Sequence, residues 1–63
     1  MAKPTVLIVD DEMDMRIFLA TVFETGGWRP DTAKNGREGL EMARRSLPDL
    51  VILDVMMPEE GGI

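Results

Sequence analysis

Asp10, Asp11 and Asp54 are the residues of this sequence best placed to do chemistry, because each stands where an apolar run stops. Val6-Leu7-Ile8-Val9 runs straight into Asp10-Asp11-Glu12, and Leu50-Val51-Ile52-Leu53 runs into Asp54. Carboxylates brought within a few ångströms repel one another, so either one takes up a proton or a cation neutralises them. Aspartates on strand ends, with no soft ligand nearby, favour a hard, oxygen-seeking ion, Mg2+ or Mn2+. Mg2+ keeps several waters and bridges readily to a phosphoryl oxygen. A carboxylate beside such an ion can attack phosphorus and form an acyl phosphate, while the metal offsets charge on the transferring group. The plainer reading of one acidic strand end is a solvated turn or a helix cap. Two matched strands that both end on acid make a shared site the better reading.

For these acids to meet, the runs that carry them must lie side by side. Thr5 to Val9 and Leu50 to Leu53 are continuous and largely β-branched rather than alternating, the mark of strands covered on both faces of a parallel sheet. Two helical patterns lie between them. Asp14 is placed to cap a helix reaching about Thr25, with Met15, Phe18, Leu19, Val22 and Phe23 on one stripe and Gly26-Gly27 ending it. Asn35-Gly36 is a turn signal. Arg37 to Ser46 follows as a second helix with the stripe Leu40, Ala43 and Leu47, stopped by Pro48. Gly39 weakens that helix by roughly 1 kcal/mol relative to alanine. Trp28 to Ala33 alternates as a strand, and Pro30 confines it to a sheet edge. The order β-α-β-α-β implies parallel strands joined by right-handed crossovers. In open α/β sheets ligands bind beyond the carboxyl ends of the strands, where strand order reverses. With the first strand central, that point falls between the first and third strands, and Asp10, Asp11 and Asp54 converge there.

Composition narrows the field. The chain of 63 residues contains no cysteine and no histidine, which removes disulfides, ordinary zinc sites and Ser-His-Asp triads. Its net charge of −5 argues against a nucleic-acid surface and suits cation binding. No secretory signal or membrane-length apolar run is present, so a cytoplasmic protein is expected. A chain this short buries only about 60% of its unfolded surface.

The sequence resembles the receiver domains of two-component response regulators. The matching stretches are Val6-Leu7-Ile8-Val9-Asp10-Asp11-Glu12, Ala33-Lys34-Asn35-Gly36-Arg37-Glu38, and Pro48-Asp49-Leu50-Val51-Ile52-Leu53-Asp54-Val55-Met56-Met57-Pro58, in the family's order and spacing. The resemblance implies half of a flavodoxin-like doubly wound sheet, strand order 2-1-3. It implies a phosphorelay role in a bacterial, cytoplasmic setting, with Asp54 as phosphoacceptor and a histidine kinase or a small phosphodonor supplying phosphate. Asp11 then resembles the direct Mg2+ ligand, Asp10 an outer ligand acting through water, and the backbone carbonyl of Met56 the third protein ligand. Pro58 shapes the following loop. Such a domain is a phosphoacceptor that assists its own phosphorylation rather than an enzyme with a separate substrate.

Residues 1–63 read as the N-terminal half of such a domain. The family's later Ser or Thr and Lys, which contact the phosphoryl group, have no counterpart here, nor does its output surface. Gly61 stands where an Asp is usual. The expectation for these residues alone is weak Mg2+ binding, slow or absent phosphorylation, and self-association through an exposed third strand. A phosphorylation-incompetent half-receiver that only binds itself or a partner is the alternative. A phosphohydrolase with a strand-end nucleophile fits less well, since its second Asp would fall at Met56. A flavin-binding module fits less well too, since Asp10-Asp11-Glu12 repels phosphate. The methionines and Trp28 are read as packing residues.

Overall fold

The structure, a computed structural model, describes residues 2–54. Its elements run β1 (Thr5–Val9), α1 (Met13–Thr25), β2 (Arg29–Ala33), α2 (Gly36–Ser46) and β3 (Leu50–Leu53). The three strands form one parallel sheet in the order β2-β1-β3. This is the expected half of a flavodoxin-like α/β fold.

The centre of the sheet explains the composition of β1. Val6 to Val9 pair with β2 on one side and β3 on the other, and none is more than 6% exposed. Leu7, Val9 and Ala33 form the buried cluster under α2, with Met42 and Ala43 packed against it. Both helices pack on β1 and β2, and neither packs on β3 among the described residues. Continuous apolar sequence in β3 therefore predicted more cover than it has. Leu50, Val51 and Leu53 are 39%, 44% and 59% exposed. β2 is the opposite edge, where Pro30 is tolerated.

Several local expectations need correction. Helix α1 begins before Asp14, with Glu12 at its N-cap and no side-chain cap bond. The Asp10 carboxylate does the turning instead, since its Oδ1 accepts from the Glu12 amide at 2.9 Å. Asp14 thus sits in the first turn, where a negative charge still favours the helix dipole. No residue of α1 is buried, and Phe18 is 60% exposed despite its place on the apolar stripe. Trp28 precedes β2 rather than opening it. Its amide closes the glycine turn on the Phe23 carbonyl at 2.9 Å, and its ring meets Phe23 edge-on at 5.6 Å. Gly27, at φ +94, supplies the left-handed step of that turn.

Helix α2 starts one residue earlier than expected, because Asn35 is its cap rather than part of a free turn. The Asn35 side chain accepts from the Glu38 amide at 2.8 Å, and Glu38 accepts from the Lys34 amide at 3.1 Å, a close variant of the reciprocal capping box. Of the expected α2 stripe, Ala43 packs against the buried cluster, Leu40 is 58% exposed, and Leu47 is not part of the helix. It is the C-cap, left-handed at φ 47 and 78% exposed, because Pro48 disfavours helical backbone before it. Gly39 has a packing reason that propensity hides. A Cβ there would lie 2.7 Å from Val9 Cγ2, so glycine lets α2 lie close on the sheet.

Candidate functional site

The site is built by extending two strands one residue past their ends. The Asp10 amide donates to the Ala33 carbonyl at 3.1 Å, and the Asp54 amide donates to the Val9 carbonyl at 3.0 Å. These bonds fix Asp10 and Asp54 at the carboxyl edge of the central and third strands, at the reversal of strand order. The lower ends are fixed in the same way. Asp49 accepts from the Thr5 amide at 2.8 Å and returns its own amide to the Thr5 carbonyl at 3.0 Å, which sets the β1–β3 register.

Asp10, Asp11 and Asp54 each offer a carboxylate oxygen, and these oxygens lie within 4.8 Å of one another. Burial grades across the cluster. Asp10 is 2% exposed, Asp54 is half-buried and Asp11 is exposed. Asp10 Oδ1 is engaged by the Glu12 amide, whereas Asp10 Oδ2 is buried with no hydrogen-bond partner among the described residues. A buried carboxylate oxygen left without a partner is costly, and a ligand that fills the position removes the cost. All the donors are hard oxygens, which suits Mg2+ or Mn2+ and not a thiophilic ion.

The cluster lies between two shallow depressions. One, of about 480 Å³, is bounded by Glu12, Met15 and Leu19 on the α1 side. The other, of about 340 Å³, is bounded by Lys34, Asn35 and Gly36 at the start of α2. Both include Asp10, Asp11 and Asp54.

All three aspartates singled out from the sequence are brought together. Met56 and Pro58, the other positions assigned from the resemblance, lie outside the described residues. Sequence reasoning missed two neighbours. Lys34 follows β2, so the rule that strand ends share one edge could have found it. Arg16 donates from Nη1 to the Asp10 carbonyl at 2.8 Å, and nothing in the sequence spacing announces that bond.

Residues 6–63 match the response regulator receiver domain family. The chain is 40% identical over 63 residues to sporulation initiation phosphotransferase F of Bacillus subtilis, covering all of this chain and 51% of that protein. It is 45% identical over 60 residues to the probable transcriptional regulator ycf27 of Porphyra purpurea, covering 95% of this chain and 25% of the relative. It is 41% identical over 59 residues to the probable transcriptional regulatory protein TcrX of Mycobacterium tuberculosis, with 94% and 25% covered. The chain thus spans between a quarter and about half of the length of these curated relatives.

Proposed function

Since the chain belongs to the response regulator receiver domain family of two-component signalling, we propose that Asp54 is its phosphoacceptor and that Asp10 and Asp11 hold a divalent cation beside it. The observation that carries this reading is the meeting of the three carboxylates within 4.8 Å, with one buried oxygen of Asp10 left for a ligand. Asp10, Asp11 and Asp54 would hold Mg2+ or Mn2+, with the Met56 carbonyl as a further oxygen donor from outside the described residues. The bound ion supplies charge neutralisation to the cluster and to the transferring phosphoryl group.

The residues of the chain have defined parts in the transfer. An Asp54 carboxylate oxygen attacks phosphorus and forms a P–O bond as the bond from phosphorus to the donor breaks. The electron pair of that bond leaves with the donor, a histidine imidazole or the leaving group of a small phosphodonor. No proton need be taken from Asp54, because the carboxylate is already the nucleophile, so the absence of histidine is no obstacle. The bond from the Asp54 amide to Val9 keeps the nucleophile at the strand end, and Asp10 is fixed by its own bond to Ala33. The setting consistent with these parts is cytoplasmic, and no described helix is long and apolar enough to cross a membrane.

The test is the intact mass of the chain after incubation with a small phosphodonor and Mg2+, beside Asp54→Asn. A slow gain of one phosphoryl group that is lost in Asp54→Asn and in chelator supports the reading. No gain under any condition overturns the phosphoacceptor reading for these 63 residues in favour of the phosphorylation-incompetent half-receiver.

A second reading is favoured by β3. Its outer edge is unpaired among the described residues, and Leu50, Val51 and Leu53 are exposed beside it. Edges of this kind recruit another strand. The 63 residues on their own would then act as a self-associating half-receiver.

A further inference from the structure

The position of Asp10 is fixed by more than its strand. Its amide is bonded to Ala33, its Oδ1 to the Glu12 amide and its carbonyl to the Arg16 guanidinium. Oδ2 remains, buried and without a partner among the described residues. Of these bonds, the one from Arg16 is the sole contribution of a distant side chain. The last ladder pairs of β1 are Val9 with Ala33 and Val9 with Leu53, so the Asp10 carbonyl lies beyond the sheet. Its peptide joins Asp10 to Asp11, and rotation of that peptide would redirect both carboxylates.

Arg16 is suited to stop that rotation. It stands in the first turns of α1, where side chains lean back toward the helix N-terminus. It is half-buried, and its Nη1 reaches the carbonyl at 2.8 Å. Its own amide donates to the Glu12 carbonyl at 3.0 Å, so the same residue begins the helix and grips the turn before it. A bond from a charged donor is stronger than a neutral one, and the planar guanidinium loses less freedom than an ammonium in making it.

We infer that Arg16 is a positioning residue for the acidic site, holding the Asp10–Asp11 peptide through the Asp10 carbonyl so that both carboxylates stay gathered with Asp54. The inference rests on the metal-binding reading above for its functional meaning, but the turn itself can be tested without metal. Arg16 does not enter the donor set. It acts through Asp10.

The experiment compares the isotope-labelled 63-residue chain with Arg16→Met and Arg16→Lys. Amide hydrogen exchange is followed without metal at Glu12, whose bond to Asp10 Oδ1 reports the turn, and at Leu7 and Ile8, which report the sheet. Mn2+ is then added and its affinity read from paramagnetic broadening. In Arg16→Met the Glu12 amide is expected to exchange about tenfold faster, the scale of one lost hydrogen bond. Leu7 and Ile8 should be unchanged, and Mn2+ affinity should fall several-fold. Arg16→Lys, which can still donate to the carbonyl, should recover part of both effects.

Unchanged exchange at Glu12 in Arg16→Met overturns the inference. So does equal acceleration at Glu12, Leu7 and Ile8, which would mark a general loss of stability. Faster exchange with unaltered Mn2+ affinity overturns the link to the site. Absence of Mn2+ broadening in the unmodified chain contradicts the metal reading instead, and the exchange arm still decides whether Arg16 holds the turn.

Discussion

The amide of Asp54 donates to the carbonyl of Val9 at 3.0 Å, and this bond carries the pairing of β1 and β3 one residue past the sheet. It sets Asp54 beside Asp10, so the site is a direct product of strand register. Slippage by one residue would turn Asp54 to the other face of the sheet.

Asp10 has two separable jobs, and substitution should divide them. Asp10→Ala removes the acceptor of the Glu12 amide and is expected to cost about 1–2 kcal/mol in urea unfolding. Asp10→Asn keeps an oxygen for that amide and removes a charge from the cluster, so in chelator it should be at least as stable as the parent chain. Both variants should lose the stabilisation given by Mg2+. That stabilisation is about 1.4 kcal/mol when Mg2+ stands about tenfold above Kd.

Gly39→Ala should destabilise the chain although alanine is the better helix former. The added Cβ meets Val9 Cγ2 at 2.7 Å, and Val9 is a stiff β-branched residue in the buried cluster. Overpacking of this kind costs about 1–3 kcal/mol, against a propensity gain of about 1 kcal/mol. Thermal unfolding of Gly39→Ala in the parent chain and in Val9→Ala checks the cause: Val9→Ala is destabilising by itself, but the added cost of Gly39→Ala should be smaller in that background.

Part of this arrangement is legible in the sequence and part is not. The parallel β-α-β-α-β arrangement, the edge position of Pro30 and the placing of Asp10, Asp11 and Asp54 at strand ends follow from apolar runs, helix periods and the rule for parallel crossovers, whereas the strand order that brings these acids together rests on the family resemblance. Such signals are local or topological. The role of Asp10 as the turning residue of α1 is not legible because an acid two residues before the N-cap competes with the more obvious Asp14. Leu47 was misassigned because helical spacing continues to the residue before Pro48, while the backbone there turns left-handed. Gly39 and Arg16 act through contacts with Val9 and the Asp10 carbonyl, and sequence spacing carries no record of either distance.

Removing the cap of α2 should fray it. Asn35→Ala deletes the acceptor of the Glu38 amide and is expected to cost about 1 kcal/mol. Amide exchange should accelerate first in the opening turn of α2, at Glu38. If Glu38 keeps its full protection, the Asn35 side chain is not the cap.

The edge of β3 should show itself in solution. Sedimentation of the 63-residue chain is expected to reveal association that grows with concentration. Val51→Lys, a charge on an exposed edge residue, should reduce it. A monomer at every concentration tested would remove the self-association reading.

The proposed function makes the three aspartates one phosphoacceptor site with Asp54 as the nucleophile. Its most direct measurement is borohydride trapping after treatment with a small phosphodonor and Mg2+, followed by peptide mapping. An acyl phosphate on aspartate is reduced to homoserine, which marks the residue that carried phosphate. Homoserine is expected at position 54 alone, dependent on both donor and metal. Homoserine at position 10 or 11, or at none of the three, would contradict it.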